Sequence, residues 1–262
     1  MNVIRLIVSA GLRDLSRSRW LIGYALGFFV LAEGLFWFGG SGPQVVLSLL
    51  NIVLMVVPLV ALVFGAIHVY ASREFVELLL SQPVPRKPLF TGLWLGLALP
   101  LAGAFAIGAG LPFVFNGGGG AGFSALATLA AAGVVLSFIF SGIATWIAWT
   151  TDDRLRGVGL ALGVWLAATV LYDGAILAAT AAFGDYPLER PLLAAMILNP
   201  VDLARLVVLS QLDASALMGY TGALFNKALG TAGGAAMAGA ALLAWCGVPY
   251  LMSARRFARR DF

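Results

Sequence analysis

The sequence is poor in the residues that most enzymes use for chemistry. Among 262 residues it has one cysteine, one histidine and only 11% charged residues. The single cysteine, Cys246, excludes an intrachain disulfide, and its apolar surroundings favour an ordinary packing role. No His/Cys group has the spacing of metal ligands, so no metal site is predicted.

Lysine is equally scarce, and neither lysine lies in a phosphate-binding loop. A Walker A loop places glycines ahead of a lysine that is followed by Ser or Thr, so that backbone N–H groups and the amine surround the phosphates. Here Lys87 follows "PVPR" and Lys227 follows "ALFN". The sequence therefore predicts a non-catalytic chain with no catalytic or cofactor-binding residues.

Two other membrane activities fit the sequence poorly. Asp173 and Asp185 are similar to the paired aspartates of intramembrane proteases, but twelve residues of helix would separate them by about 18 Å. The sole histidine, His68, lies at the edge of an apolar block, where an interfacial anchor is the favoured interpretation over a catalytic base. A secondary transporter stays open, with Pro58 and Pro100 as helix breaks, although no inverted repeat is visible.

Apolar residues are abundant and come in long blocks. They make up 61% of the chain, against about 45–50% in soluble domains. A membrane-spanning helix needs about 20 mostly apolar residues, so the sequence predicts an all-α polytopic membrane protein with six spans in one domain, residues 1–262. The predicted spans are Trp20 to Gly39, Gln44 to Ala71, Leu89 to Phe115, Phe123 to Trp149, Val158 to Phe183 and Thr231 to Ala254.

The distribution of basic residues predicts the orientation. Thirteen of the 16 Lys and Arg residues lie at the termini and in the second and fourth loops, and the other three lie within residues 184–230. Cytoplasmic loops carry an excess of Lys and Arg. Both termini are therefore expected in the cytoplasm, and the formal charge of +4 is interpreted as topology rather than as affinity for nucleic acid.

Residues 1–19 predict an interfacial amphipathic helix. Apolar side chains and a glycine recur at spacings of three and four, with Arg and Ser opposite them. The apolar face comprises Ile4, Ile7, Val8, Gly11, Leu12 and Leu15, and the polar face comprises Arg5, Ser9, Arg13, Ser16 and Arg17. A basic tail that serves only orientation would explain the arginines but not the apolar stripe.

The segment "SREFVELLLSQPVPRKP", residues 72–88, predicts a short cytoplasmic helix. Ser72 is a candidate N-cap, Glu74 suits a helix N-terminus, and Pro83, Pro85 and Pro88 are expected to stop the helix. The apolar side chains of such a helix are expected to pack against another surface. Either it packs on the protein's own N-terminus or on lipid, or it docks in a groove of a separate protein.

One stretch of this region resembles a known family. "ELLLSQPVPRKPLFTGLWLG" is similar to the loop after the second span of type-2 ABC exporter permeases, on the strength of Glu77, Leu78, Leu79, Pro83, Val84, Arg86 and Gly92. In that family the loop is the coupling helix that rests on an ATPase. The resemblance implies ATPase-coupling residues Glu74, Phe75, Glu77, Leu78, Leu79, Pro83 and Arg86. The residues just before Glu77 depart from the family pattern.

A second stretch is similar to the permease of the nitrous-oxide-reductase maturation system. There a fifth span with an acidic residue precedes an outside segment with an Asn-Pro helix start. The match is carried by Gly159, Gly163, Trp165, Asp173, Asn199, Pro200, Asp202, Arg205 and Leu206.

The resemblance implies a set of partners and a place in the cell. It implies a bacterial cytoplasmic (inner) membrane, a second permease copy, and a cytoplasmic ABC ATPase that binds ATP and Mg. It also implies a periplasmic repeat protein and a role such as copper or sulfur delivery. Efflux of a drug or a bacteriocin is the alternative cargo class.

The remaining candidates are polar residues within or beside the spans. Intramembrane ionisable groups are functional candidates because burying a charge there is costly. Asp173 is either a polar point in a pathway, a lock across a dimer, or a side chain that joins two helices, and the last interpretation is favoured for Glu33. In the predicted periplasmic helices of residues 184–230, Asn199, Pro200, Asp202 and Arg205 are candidates for a partner contact or a gate, with Asn199 capping a helix that begins at Pro200.

Overall fold

The computed structural model describes residues 3–38, 42–116, 121–183, 189–211 and 231–260. All secondary structure in these residues is helical, which confirms the predicted all-α class. The helices are α1 Val3–Ser16, α2 Arg19–Trp37, α3 Gly42–Ala71, α4 Arg73–Leu80, α5 Arg86–Phe115, α6 Ala121–Thr150, α7 Arg154–Leu166, α8 Tyr172–Ala182, α9 Glu189–Leu198, α10 Pro200–Gln211 and α11 Thr231–Ala258. A π-helical turn, Ala167–Leu171, joins α7 to α8.

Six helices in the described residues are long and apolar enough to cross a membrane, as the sequence predicts. They are Arg19–Trp37, Gly42–Ala71, Arg86–Phe115, Phe123–Thr150, Arg154–Ala182 and Met237–Ala258. The third begins three residues earlier than predicted, because Pro88 lies in the first turn of α5, where no backbone N–H is needed. Pro88 therefore starts a helix rather than stopping one.

Helix α6 lies at the centre of the bundle and packs against α3, α5, α10 and α11. Its buried side chains are mostly apolar, but Ser137, Ser141 and Thr145 are buried with them. Each of these hydroxyls donates to a carbonyl three or four residues earlier in the same helix. The polar groups are thereby satisfied without water.

The predicted amphipathic helix is present as α1, and it packs on α5 rather than standing alone. One glycine of each helix, Gly92 of α5 and Gly11 of α1, permits the contact. A Cβ on Gly92 would lie 2.8 Å from the Ile7 Cβ, and a Cβ on Gly11 would lie 2.9 Å from the Gly96 Cα. Leu12, predicted on the apolar face, is exposed, whereas Leu15 is buried.

The expected short helix is present as α4, but its N-terminus is built differently. The Ser72 hydroxyl makes no capping bond to α4 and instead donates back to the His68 carbonyl of α3. The prediction of a Ser72 cap was wrong because a serine hydroxyl at a helix end can equally bond the preceding turn.

Candidate functional site

The first candidate site is the exposed face of α4. It lies at the end of the bundle that carries Arg73, Arg86, Arg154 and Arg260, here called the basic end. Two large apolar side chains of α4 stay exposed in the protomer, Phe75 at 53% and Leu78 at 61%. Glu74 and Glu77 beside them are also exposed. This face combines apolar and acidic groups and has no cover within the described residues.

The opposite face of α4 anchors it to the bundle. Val76 is fully buried, and Leu79 packs partly against the core. Of the apolar residues that the sequence groups as coupling residues, Leu79 thus has a partner in its own protomer, whereas Phe75 and Leu78 are available to another molecule.

A cleft of about 560 Å³ lies beside α4. It is lined by residues of α1, the end of α3, α4 and α5, including Ile7, Asp14, His68, Phe75 and Leu79. The cleft separates α4 from α1, so the N-terminal helix does not cover the exposed face of α4.

Arg73, the first residue of α4, ties this helix to the end of α6. Its guanidinium donates to the carbonyls of Ala148, Thr151 and Asp152 and lies 4.4 Å from the centre of the Tyr70 ring. The last carbonyls of a helix have no partner within it, so Arg73 caps α6 from another element. Burial lowers the pKa of this guanidinium, and the nearby charge of Arg260 acts in the same direction, but an arginine stays charged at neutral pH.

Two further arginines join the same end of the molecule. Arg260 donates to the Trp149 carbonyl at 2.8 Å and to the Asp152 carboxylate. Arg86, at the start of α5, donates to the carbonyls of Ala258 and Arg260 at 2.8 and 3.0 Å. We call Arg73, Arg86 and Arg260 the arginine clamp. Through Arg73 it connects the start of α4 to the end of α6 and the α6–α7 turn. Through Arg86 it connects the start of α5 to the C-terminal end of α11 and the residues after it.

Most of this clamp could not be predicted from the sequence. The resemblance assigns Arg86 to ATPase coupling, and that assignment stays a prediction. In the structure the Arg86 guanidinium donates to the carbonyls of Ala258 and Arg260. Arg73 and Arg260 were counted only as topology signals. Most of their hydrogen-bond acceptors are backbone carbonyls. Every residue has a backbone carbonyl, so no residue type marks these positions in the sequence.

The second candidate site is a charged network between the fifth span and α10. Arg205 lies 3.1 Å from the Asp173 carboxylate and 3.2 Å from the Asp202 carboxylate. The Asp202 side chain is only 8% exposed, whereas Asp173 and Arg205 are 39% and 34% exposed. The structure thus brings together three of the predicted polar residues that lie up to 32 positions apart.

Asn199 completes this network and confirms its predicted cap. Its Oδ1 accepts the N–H of Val201 at 3.0 Å, and α10 begins at Pro200. Its Nδ2 donates to the Asp202 carboxylate and to the Ala168 carbonyl, at 3.1 and 2.9 Å. The cap therefore also binds the fifth span.

Helix α10 lies inside the bundle, packed against α3, α6 and α11. Six of its apolar residues are buried, namely Val201, Leu203, Ala204, Leu206, Val208 and Leu209. The described part of residues 184–230 thus places α10 within the bundle. Residues 184–188 and 212–230 lie outside the described residues.

Glu33, the other intramembrane acid, lies near the end of the bundle away from the arginine clamp. It accepts a hydrogen bond from Asn116 Nδ2 at 3.0 Å, and the same amide donates to the Pro112 carbonyl. The contact joins the end of α2 to the end of α5.

Most of the chain matches known proteins. Residues 40–262 match the model of the ABC-2 family transporter protein family. A protein of Pseudomonas aeruginosa named "Probable ABC transporter permease protein NosY" is 30% identical over 236 residues, covering 84% of this chain and 86% of that relative. A protein of the same name from Stutzerimonas stutzeri is 29% identical over 278 residues, covering 99% of both chains.

Proposed function

This chain belongs to the ABC-2 transporter family as a permease subunit of an ABC transporter, and we propose that it acts as a homodimer whose α4 docks on a separate cytoplasmic ATPase. The ATPase binds ATP and Mg, and the permease carries its motion across the membrane. The residues assigned to docking are Phe75 and Leu78 as apolar anchors and Glu74 and Glu77 as charged neighbours.

One observation carries this assignment: the apolar face of α4 is exposed at the basic end of the bundle. An exposed Phe and Leu flanked by two glutamates on one short helix fit a surface that another protein covers, since interface anchors are typically large apolar side chains ringed by polar groups. The acidic neighbours favour a groove with basic groups at its rim. The arginine clamp then links the docked helix to α6 and α11, so that a movement of α4 reaches the centre of the bundle.

We further propose a role in nitrous oxide reductase maturation, with a periplasmic partner on the opposite side. The resemblance around Asp173 and Asn199–Pro200 and the two relatives named NosY support this proposal. Neighbouring genes distinguish the alternatives. An ATPase gene beside a secreted repeat protein favours maturation, and an ATPase gene beside resistance or bacteriocin genes favours efflux.

Partner dependence tests the main proposal. We expect the purified chain to show no ATP hydrolysis, because it lacks a Walker A loop, and we expect turnover once the ATPase subunit is co-expressed and co-purified. Phosphate release measured with and without that subunit checks this. Hydrolysis by the isolated chain would overturn the permease assignment.

Orientation provides the next test. In a Cys246→Ala background we expect a cysteine at Phe38 to react with an impermeant maleimide added outside intact cells, and a cysteine at Gln82 to react only after the membrane is opened. Both positions are exposed in the protomer, so a difference between them reports the side of the membrane. The reverse pattern would place α4 outside and exclude its docking on an ATPase.

A further inference from the structure

We propose that Asp173, Asn199, Asp202 and Arg205 form a latch that holds α10 against the fifth span and opens without leaving Arg205 unpaired. We call these four residues the α10 latch. Its coupling to ATP turnover rests on the proposed function above, whereas the latch itself rests on the contacts within this chain.

The latch lies near the middle of the fifth span. The fifth span runs over Arg154–Ala182, and Ala168, which accepts the Asn199 amide, is its midpoint. The N-terminal end of α10 therefore reaches the middle of the span. Helix α10 itself packs on α3, α6 and α11. Because unpaired polar groups at such depth are costly, the contacts made by Asn199 and Arg205 tie its first turns to the fifth span.

The two carboxylate partners of Arg205 lie on different helices. Asp202 lies three residues earlier on α10 itself and is almost fully buried, whereas Asp173 lies on the fifth span and is more than a third exposed. If α10 separates from the fifth span, Arg205 keeps Asp202 and loses Asp173. The pair that breaks is the more exposed one, and Arg205 keeps the charge of the buried Asp202 beside it. Breaking a fully buried pair would instead strand a charge.

The regular α-helix of the fifth span is interrupted beside the latch. In the π-helical turn Ala167–Leu171 the N–H of Tyr172 donates to the Ala167 carbonyl, five residues earlier. Tyr172 and Asp173 follow this turn directly, and the Tyr172 hydroxyl donates to the Ala195 carbonyl of α9. Single π-turns are frequent at functional positions and permit local rearrangement of a helix. The turn thus lets the Asp173 side of the fifth span shift while α7 stays packed on α3.

The latch predicts that α10 becomes accessible when Asp173 loses its charge. Ala204, next to Arg205, is fully buried, so Ala204→Cys in a Cys246→Ala background reports opening by reaction with a soluble maleimide. In the purified full-length permease we expect Asp173→Asn to raise the labelling rate about tenfold, the effect of one lost net interaction, and Asp173→Glu to restore much of the parental rate.

Glu33→Gln is the matched control, because it removes another carboxylate in the membrane part of the bundle and leaves the latch intact. It should not change the labelling of Ala204→Cys. Equal rates in the parent and in Asp173→Asn would overturn the latch, as would an equal rise in Glu33→Gln. If Asp173→Asn does not purify as a single species, Arg205→Lys replaces it, since a lysine keeps the charge but lacks the fork that bridges two carboxylates. An unchanged rate in that variant equally overturns the proposal.

Labelling of the complex with the ATPase distinguishes a failure of the latch from a failure of the proposed function. In that complex ATP should raise the labelling of the parent, whereas Asp173→Asn should be labelled rapidly with or without ATP. If ATP has no effect on the parent while Asp173→Asn still raises the rate in the permease alone, the latch stands and the proposed coupling to ATP is wrong.

Discussion

Phe75→Ala is expected to release the ATPase subunit from the permease while membrane insertion stays intact. Truncating a buried aromatic anchor of an interface typically costs about 2 kcal/mol or more, at least ~30-fold in affinity. Phe75 is half exposed in the protomer, so the side chain contributes little to the permease fold, and Leu78→Ala should act in the same way. Co-purification of the two subunits, titrated with the ATPase, measures the loss.

Phe38 offers a matched control for this prediction. It is 92% exposed and follows α2, away from the arginine clamp, so Phe38→Ala should leave ATPase binding unchanged. Glu77→Gln should weaken binding modestly and only at low salt, because rim charges contribute mainly through long-range attraction. If Phe75→Ala instead lowers the melting temperature and the ATPase stays bound, α4 packs within its own chain and the docking proposal is wrong.

Arg73→Met is expected to uncouple the two subunits without separating them. The substitution keeps an unbranched apolar stem, although a shorter one, and removes the donors to the Ala148, Thr151 and Asp152 carbonyls. Hydrogen bonds to a charged group are worth about 1.5–3 kcal/mol each. Because the three bonds share one guanidinium, their contributions are not additive, and we expect a loss of roughly 3 kcal/mol in stability for the set. Since Phe75 and Leu78 are untouched, the ATPase should still bind, but the permease should no longer stimulate its turnover.

Two measurements check the Arg73 prediction together, the melting temperature of the permease and the ATP turnover of the complex. Arg154→Met is the control, because Arg154 is an exposed arginine at the start of α7 at the same end of the molecule. It should change neither quantity. Normal stimulation by a destabilised Arg73→Met permease would show that the clamp holds the fold but does not transmit motion.

The local structure of this protein could be read from its sequence. The six spans depend on hydropathy over about 20 residues, and α1 and α4 depend on the period of their apolar residues. The Asn199 cap depends on a side chain that accepts from an N–H only two positions away. A helix in a membrane must satisfy its own backbone hydrogen bonds, so composition alone decides where it forms. The boundary near Pro88 was wrong by three residues because proline is tolerated at a helix start.

The contacts between distant residues were decided by the tertiary structure. Arg73 reaches the end of α6 about 75 positions along the chain, Arg86 reaches Ala258 172 positions away, and Asn199 finds a carbonyl at the midpoint of the fifth span. The apolar faces of different helices have similar hydropathy, and lipid is equally apolar. Hydropathy therefore does not specify which faces pack together. The sequence by itself thus determined an ABC-2 type permease with a short helix between its second and third spans. Only the packing of the bundle decided that arginines clamp this helix to α6 and that α10 re-enters to pair Arg205 with Asp173.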